Sequence, residues 1–261
     1  MHIDFEADAL LALFDEYKSS YSQMEVSVDR QALVPRYGTA GNIPRGYYCP
    51  SLVIDIVIGG TKRGKISGKA LSADTAAYVF YFDGEDKLIT VEAYSKFPGT
   101  GRVVTSREYL LYDGLTVIAP EFSVGRFQKE PFLRRITKCE YDGSGRIRKY
   151  RTLFSSDLES GLDHIDSYRI YAEEYKFDPK SALLDTVIYG QANAFPAGAA
   201  GGRFSAMLSD DREQIQLKRE FSCHFIHDEN GFITQYKEAD LNGDDSPEVI
   251  RTIPKNKRKR K

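Results

Sequence analysis

Hydrophobic and polar positions alternate with a period of two along most of this chain. The clearest stretch runs from about residue 76 to 240. There, aromatic and polar residues alternate into an Asp, and aliphatic and polar residues alternate out of it. Five segments share the template: YVFYFDGEDKLITV from Tyr78, EYLLYDGLTVIA from Glu108, TKCEYDGSGRIRKY from Thr137, EEYKFDPKSALLDT from Glu173 and CHFIHDENGFITQY from Cys223. The anchors are Asp83, Asp113, Asp142, Asp178 and Asp228. Each follows Phe82, Tyr112, Tyr141, Phe177 or His227, and an aliphatic residue stands five positions later (Leu88, Ile118, Ile147, Leu183, Ile233). Asp tolerates turn conformations and bonds the backbone two residues on, while a neighbouring Gly or Pro supplies the special φ. Alternation on both sides of the turn puts one face of each hairpin in a core. A lone hairpin is marginal in water, so the five must pair side by side.

Other periods appear before the repeats. Leu10, Phe14, Tyr17, Tyr21 and Met24 recur at spacings of four and three, one face of a helix from about residue 4 to 22. Asp4, Glu6 and Asp8 fall early, where the helix dipole favours negative charge. From Arg30 to Pro50, Pro35, Gly38, Gly41, Pro44 and Gly46 break up any long element, leaving loop with at most a short strand. Ser51 to Ile58, SLVIDIVI, reads as a strand covered on both faces. Ala192 to Gly202, ANAFPAGAAGG, reads as a long surface loop that could roof a site. These elements predict a mainly β fold: consecutive antiparallel β-hairpins in a twisted meander sheet, with the N-terminal α-helix on one face. One domain is expected over residues 1–254, followed by a basic tail at 255–261.

The third hairpin, Glu140-Tyr141-Asp142-Gly143-Ser144-Gly145-Arg146-Ile147, resembles the YD repeat of the RHS type, an aromatic-x-Tyr-Asp-x-x-Gly-Arg-aliphatic unit. His227 to Ile233 is similar, with His for Tyr and Phe for Arg, and Phe82-Asp83 and Phe177-Asp178 keep only the aromatic–Asp pair. The resemblance implies a long antiparallel sheet without catalytic activity. Small bacterial proteins with related hairpins also serve as immunity partners of polymorphic toxins, which makes such a role an expectation for this chain.

Composition adds 17 Tyr and 15 Phe with no Trp, a supply suited to pleated, half-buried surfaces. No apolar run is long enough to span a bilayer. The N-terminus carries acids through its apolar stretch, unlike a signal peptide, so a cytoplasmic protein with reduced thiols at Cys49, Cys139 and Cys223 is expected. Six of the 36 basic residues lie in the terminal KNKRKRK, leaving 30 against 38 acids elsewhere. An acidic body suits a basic protein partner better than nucleic acid. Only the tail offers nucleic acid, an anionic membrane or a nuclear import receptor a foothold, and a solubilising tail explains it as well.

Candidate chemistry is sparse. Gly59 to Lys65 approaches a phosphate-binding loop, but Ile66 takes the hydroxyl position and Gly68 opens the following segment, so a Gly-rich turn fits better. Asp240, Asn242, Asp244 and Glu248 have the spacing of a Ca²⁺ loop. Asp245 in the glycine position, Pro247, and Arg251 where a bidentate acid belongs keep the alternative of a solvated acidic turn. His224 and His227 point to opposite faces of a strand, as do Glu173 and Glu174, while His164 sits in a polar stretch. No hydrolase signature appears. The expected function is therefore a non-catalytic protein-binding module, without a cofactor unless Ca²⁺ binds, and possible in an immunity-type form. The alternative is an enzyme or small-ligand binder with its site under the 192–202 loop.

Overall fold

The computed structural model describes residues 2–29, 33–39, 50–58, 66, 75–99, 101–125, 130–155, 168–194, 215–242 and 248–253, without the side chains of 29, 55, 194 and 215–218. Two short helices, α1 (Ala7–Tyr17) and α2 (Tyr21–Asp29), precede β1 (Val34–Gly38). A helical turn at Ile54–Ile58 follows. Then come β2 (Tyr78–Phe82), β3 (Leu88–Phe97), β4 (Gly101–Tyr109), β5 (Leu111–Asp113), β6 (Thr116–Ser123), β7 (Phe132–Tyr141) and β8 (Ile147–Ser155). The series ends with β9 (Tyr168–Phe177), β10 (Leu184–Ala194), β11 (Ile215–His227), β12 (Ile233–Asp240) and β13 (Val249–Thr252). All thirteen strands join one meander sheet in chain order, except that β5 pairs only with β6. The architecture is the mainly β hairpin meander that the alternation predicts. By contacts the chain divides into two compact units, one of Met1–Asp8, Ser51–Gly59 and Cys139–Lys261, the other of Ala9–Pro50 and Gly60–Lys138.

The Asp anchors set the turns as their chemistry requires. Asp83, Asp142 and Asp228 each accept, at Oδ1, the N–H groups two and four residues on, at 2.9 to 3.0 Å. Each also donates its own N–H to the carbonyl four residues on. This closure forces positive φ three residues past the anchor, at Asp86, Gly145 and Gly231. The turn after Asp178 is one residue longer: its N–H reaches Leu183 O, and Ala182 takes positive φ (58°). The extra residue shifts the aliphatic register, so Leu184 is fully buried and Leu183 only half-buried. Asp113 closes a tighter turn opposite Thr116, which likewise buries Val117 and leaves Ile118 half-exposed.

Two expected elements differ. The single helix over 4–22 is two helices, broken where Ser20 donates its N–H and Oγ–H to Tyr17 O, while its own carbonyl accepts Met24 N–H as the first bond of α2. Leu10, Phe14 and Met24 are buried as the stripe predicts. Asp4 lies ahead of α1, as does Glu6, which adopts φ 48°. Ser51–Ile58 is helical, not a strand. Ser51 Oγ caps it by accepting Ile54 N–H at 3.1 Å. Tyr175 OH accepts Leu52 N–H and Tyr236 OH donates to Val57 O, so two tyrosines bind the end groups that a short buried helix leaves open. Tertiary partners here override the β propensity of the run.

Candidate functional site

The C-terminal unit fastens its N-terminal residues across strands. Register places Arg151, Ala172, Gly190 and Glu220 in one row across β8, β9, β10 and β11. Residues 2–6 lie along that row as a strap. His2 Nδ1 meets Glu220 Oε2 at 2.7 Å, and Asp4 O accepts from Arg151 Nε and Nη2 at 2.9 and 2.6 Å. Glu6 lies 3.0 Å from Lys149 and 3.3 Å from Arg151, which also donates to Glu174 at 2.6 Å. Gly190 permits this: a Cβ there would fall 2.5 Å from Arg219 O and 3.1 Å from Phe5 Cζ. On the opposite face, the fully buried Glu173 accepts from Ser51 Oγ and Tyr175 OH beneath the helical turn. The adjacent carboxylates Glu173 and Glu174 thus do serve opposite faces.

The other unit buries charge in the same manner. Glu92 accepts from Tyr81 OH and Tyr94 OH on one oxygen and from Arg107 on the other. Arg107 also donates to Glu25 on α2 at 2.6 Å. Burial together with Glu92 pushes the Tyr94 phenol up to about 12. Arg135 bridges Glu108 and Glu121, all three buried. A buried carboxylate needs such partners to remain ionised. Each of these is held by groups of its own unit.

A second regularity links neighbouring hairpins. At two of the four junctions the residue four past one anchor stacks on the aromatic before the next: Lys87 Nζ lies 4.0 Å from the Tyr112 ring and Arg146 Cζ 4.6 Å from Phe177, whereas Val117 and Ala182 hold that position at the other two. Ahead of the first hairpin, Arg36 of β1 covers Phe82 at 4.1 Å. The equivalent of Lys87 and Arg146 in the last hairpin is Phe232, whose exposure is 38%. It lines an open cleft of about 470 Å³ with Ser181, Leu183, Glu229, Asn230 and Gly231.

The two ends of the strand order also differ. β1 carries Pro35, a residue that blunts a sheet edge. β13 has no proline; its four residues are all exposed, Val249 at 43% and Ile250 at 59%, with the charged Arg251 among them paired to Glu238. Ile253, just past the strand, is buried and donates its N–H to Thr234 O. Charge divides along the chain as well. Residues 139–254 hold 21 acids against 13 bases, while residues 60–138 hold 9 against 13. Counting by hairpin rather than over the whole chain would have shown this division.

The expected Ca²⁺ ligands are placed as follows. Asp240 Oδ1 accepts Asn242 N–H at 2.9 Å, Asn242 Oδ1 accepts Glu220 N–H at 2.6 Å, and Glu248 pairs with Lys237 at 3.4 Å. Asp244 lies outside the described residues, among which no three His, Cys, Asp or Glu side chains gather as a metal cluster. His224 sits 3.5 Å from Asp185, whereas burial lowers the pKa of His227 below its usual value. Cys139 and Cys223 are buried thiols, and burial pushes that of Cys223 up. Ala192–Ala194 belong to β10, while 195–202, the tail at 255–261, Cys49 and all of the phosphate-loop candidate except Ile66 fall outside the described residues. No described helix is long and apolar enough to cross a membrane. No family model and no curated protein matches the chain.

Proposed function

We propose that the chain is a non-catalytic protein-binding module of the cytoplasm that recognises a basic partner, with inhibition of a basic toxin as its specific form. The observation that carries this reading is the acid excess of the C-terminal hairpins, 21 acids against 13 bases over residues 139–254. A field of one sign speeds encounter with a partner of the other and disfavours wrong partners. The buried carboxylates add support, since Glu92, Glu108, Glu121, Glu173 and Glu220 are engaged in holding strands, helices and strap together. The resemblance of Glu140–Ile147 to hairpins of immunity proteins supplies the specific form.

The test is affinity capture from native host lysate at about 0.05 M salt, where the Debye length exceeds 10 Å, with elution by rising salt. The expected outcome is a single basic protein in stoichiometric amount, released by salt. A retained metabolite, or a partner as acidic as the bait, would overturn the reading.

A further inference from the structure

We propose that Asp113–Gly114, at the tip of the β5–β6 hairpin, is a site of spontaneous isoaspartate formation, and that the same dipeptide at Asp83–Gly84 and Asp142–Gly143 is protected by its turn. The inference is independent of the protein-binding reading above. It follows from three copies of one dipeptide held in different ways.

The chemistry singles out Asp–Gly steps. Glycine has no Cβ to hinder its nitrogen, which can attack Cγ of a neutral Asp carboxyl group. The new N–Cγ bond closes a five-membered succinimide, and the carboxyl hydroxyl leaves with the amide proton as water. Water then adds back at either ring carbonyl. Cleavage at Cγ restores Asp. Cleavage at the main-chain carbonyl carbon instead reroutes the chain through Cβ and Cγ and frees the α-carboxylate. The net change is an isomerisation that consumes nothing. Among the hairpin anchors, Asp83, Asp113 and Asp142 precede Gly. Asp178 precedes Pro179, whose nitrogen carries no proton, and Asp228 precedes the bulkier Glu229.

Hydrogen bonding separates the three steps. Asp83 Oδ1 accepts the Glu85 and Lys87 N–H groups, both at 2.9 Å. Asp142 Oδ1 accepts those of Ser144 and Arg146 at 2.9 and 3.0 Å, and its Oδ2 accepts from Arg146 Nε at 2.8 Å. Such donors favour the ionised carboxylate, a poor target for a nucleophile, and they pin it toward residues beyond the glycine. The Arg146 N–H, its guanidinium and the Ser144 N–H accordingly hold the Asp142 carboxyl below its usual range. Asp113 differs. Its turn is a two-residue loop closed by the Asp113–Thr116 pair, too short to bring later N–H groups back to the carboxylate. The side chain is exposed, and among the described residues nothing donates to it. Gly114 is exposed at φ 55°, and its N–H meets no described carbonyl.

The rearrangement lengthens the main chain by one carbon at the tip of the hairpin. β5 pairs only with β6, through Leu111–Ile118, Tyr112–Val117 and Asp113–Thr116. Loss of the closing pair therefore loosens the smallest strand pairing near it, together with the bond from Tyr112 OH to Leu88 O at 2.8 Å.

The experiment ages the full chain for several weeks at body temperature and neutral pH, folded and in concentrated guanidinium chloride. Trypsin places the three steps in separate peptides, 70–87, 108–126 and 139–146. Isoaspartyl forms elute apart at unchanged mass and are assigned by electron-transfer fragmentation, whereas deamidation at Asn230–Gly231 or Asn242–Gly243 changes the mass. In the folded chain, peptide 108–126 should convert at least about tenfold faster than 139–146, the change in neutral fraction that one pKa unit brings. Peptide 70–87, with two donors and no guanidinium, should fall between them. In denaturant the three rates should converge. If the folded chain converts all three alike, or spares Asp113, the inference fails. It fails equally if the denatured chain keeps the folded ranking, because the flanking residues and not the carboxylate bonds would then set it.

Discussion

Residues 2–6 and helix α2 are both tied to their own strands by an arginine, yet the two ties differ. Arg151 is 1% exposed and donates twice to a main-chain carbonyl while meeting Glu6 and Glu174. Arg107 is 21% exposed and divides itself between Glu92, at 8%, and Glu25, at 39%. A buried guanidinium without partners is costly, so the strap is held by a group that cannot let go and remain in place. The tie to α2 is partly wet and open to salt, and it can lengthen without stranding a charge. The same residue type thus fixes one segment permanently and restrains the other gently.

The contrast is broken most sharply at Arg151. Arg151→Met should cost about 3–5 kcal/mol, because Glu174 and the Asp4 carbonyl lose their donor. Urea denaturation measures the loss, and native-state hydrogen exchange should show the amides of residues 3–5 opening well before those of β9. If the loss stays below about 1 kcal/mol, the strap is not held in this way. At the exposed tie, Glu25→Gln should cost only about 0.5–1 kcal/mol, a difference that vanishes near 1 M NaCl where the Debye length is about 3 Å. A salt-independent loss would mean that the contact is as dry as the one at Arg151. The smallest effect concerns pH. Burial lowers the pKa of His227 below its usual 6.5, so the unfolded chain binds more protons than the folded one just under that value. Its contribution is complete above about pH 7 and is lost as pH falls through the depressed pKa. His227→Gln should therefore reduce the stability difference between pH 7.5 and 5.5, measured by urea midpoints. An unchanged difference would assign that slope to other groups.

The hairpins were legible because each turn is decided by residues within five positions of its Asp, a range over which sequence and structure are nearly the same information. The helical turn at 51–58 was not, since what selects it is Tyr175 and Tyr236, far along the chain. The strap was half legible: Ile3 and Phe5 alternate with Asp4 and Glu6, an extended pattern that the stronger helical stripe beginning at Leu10 obscured. β13 was missed for a similar reason. The β-branched run Val249, Ile250, Thr252, Ile253 is present, but it directly follows acids with the spacing of a Ca²⁺ loop. Among the described ones, Asp240 and Asn242 accept the backbone N–H groups of Asn242 and Glu220, and Glu248 pairs with Lys237. The cross-hairpin stacking has a sequence trace, an Arg or Lys four past an anchor, whose meaning emerges only once the strand order is known.

The strap also bears on how the chain is made. His2 is translated 218 residues before Glu220, its partner on β11. At ribosomal speeds of about 5–20 residues per second, Ile3 and Phe5 wait on the order of 10–40 seconds before the strand that anchors His2 emerges. Closure of this unit is thus a late event in biogenesis, and a growing chain that ends before β11 would hold residues 2–6 without the Glu220 end of their anchorage.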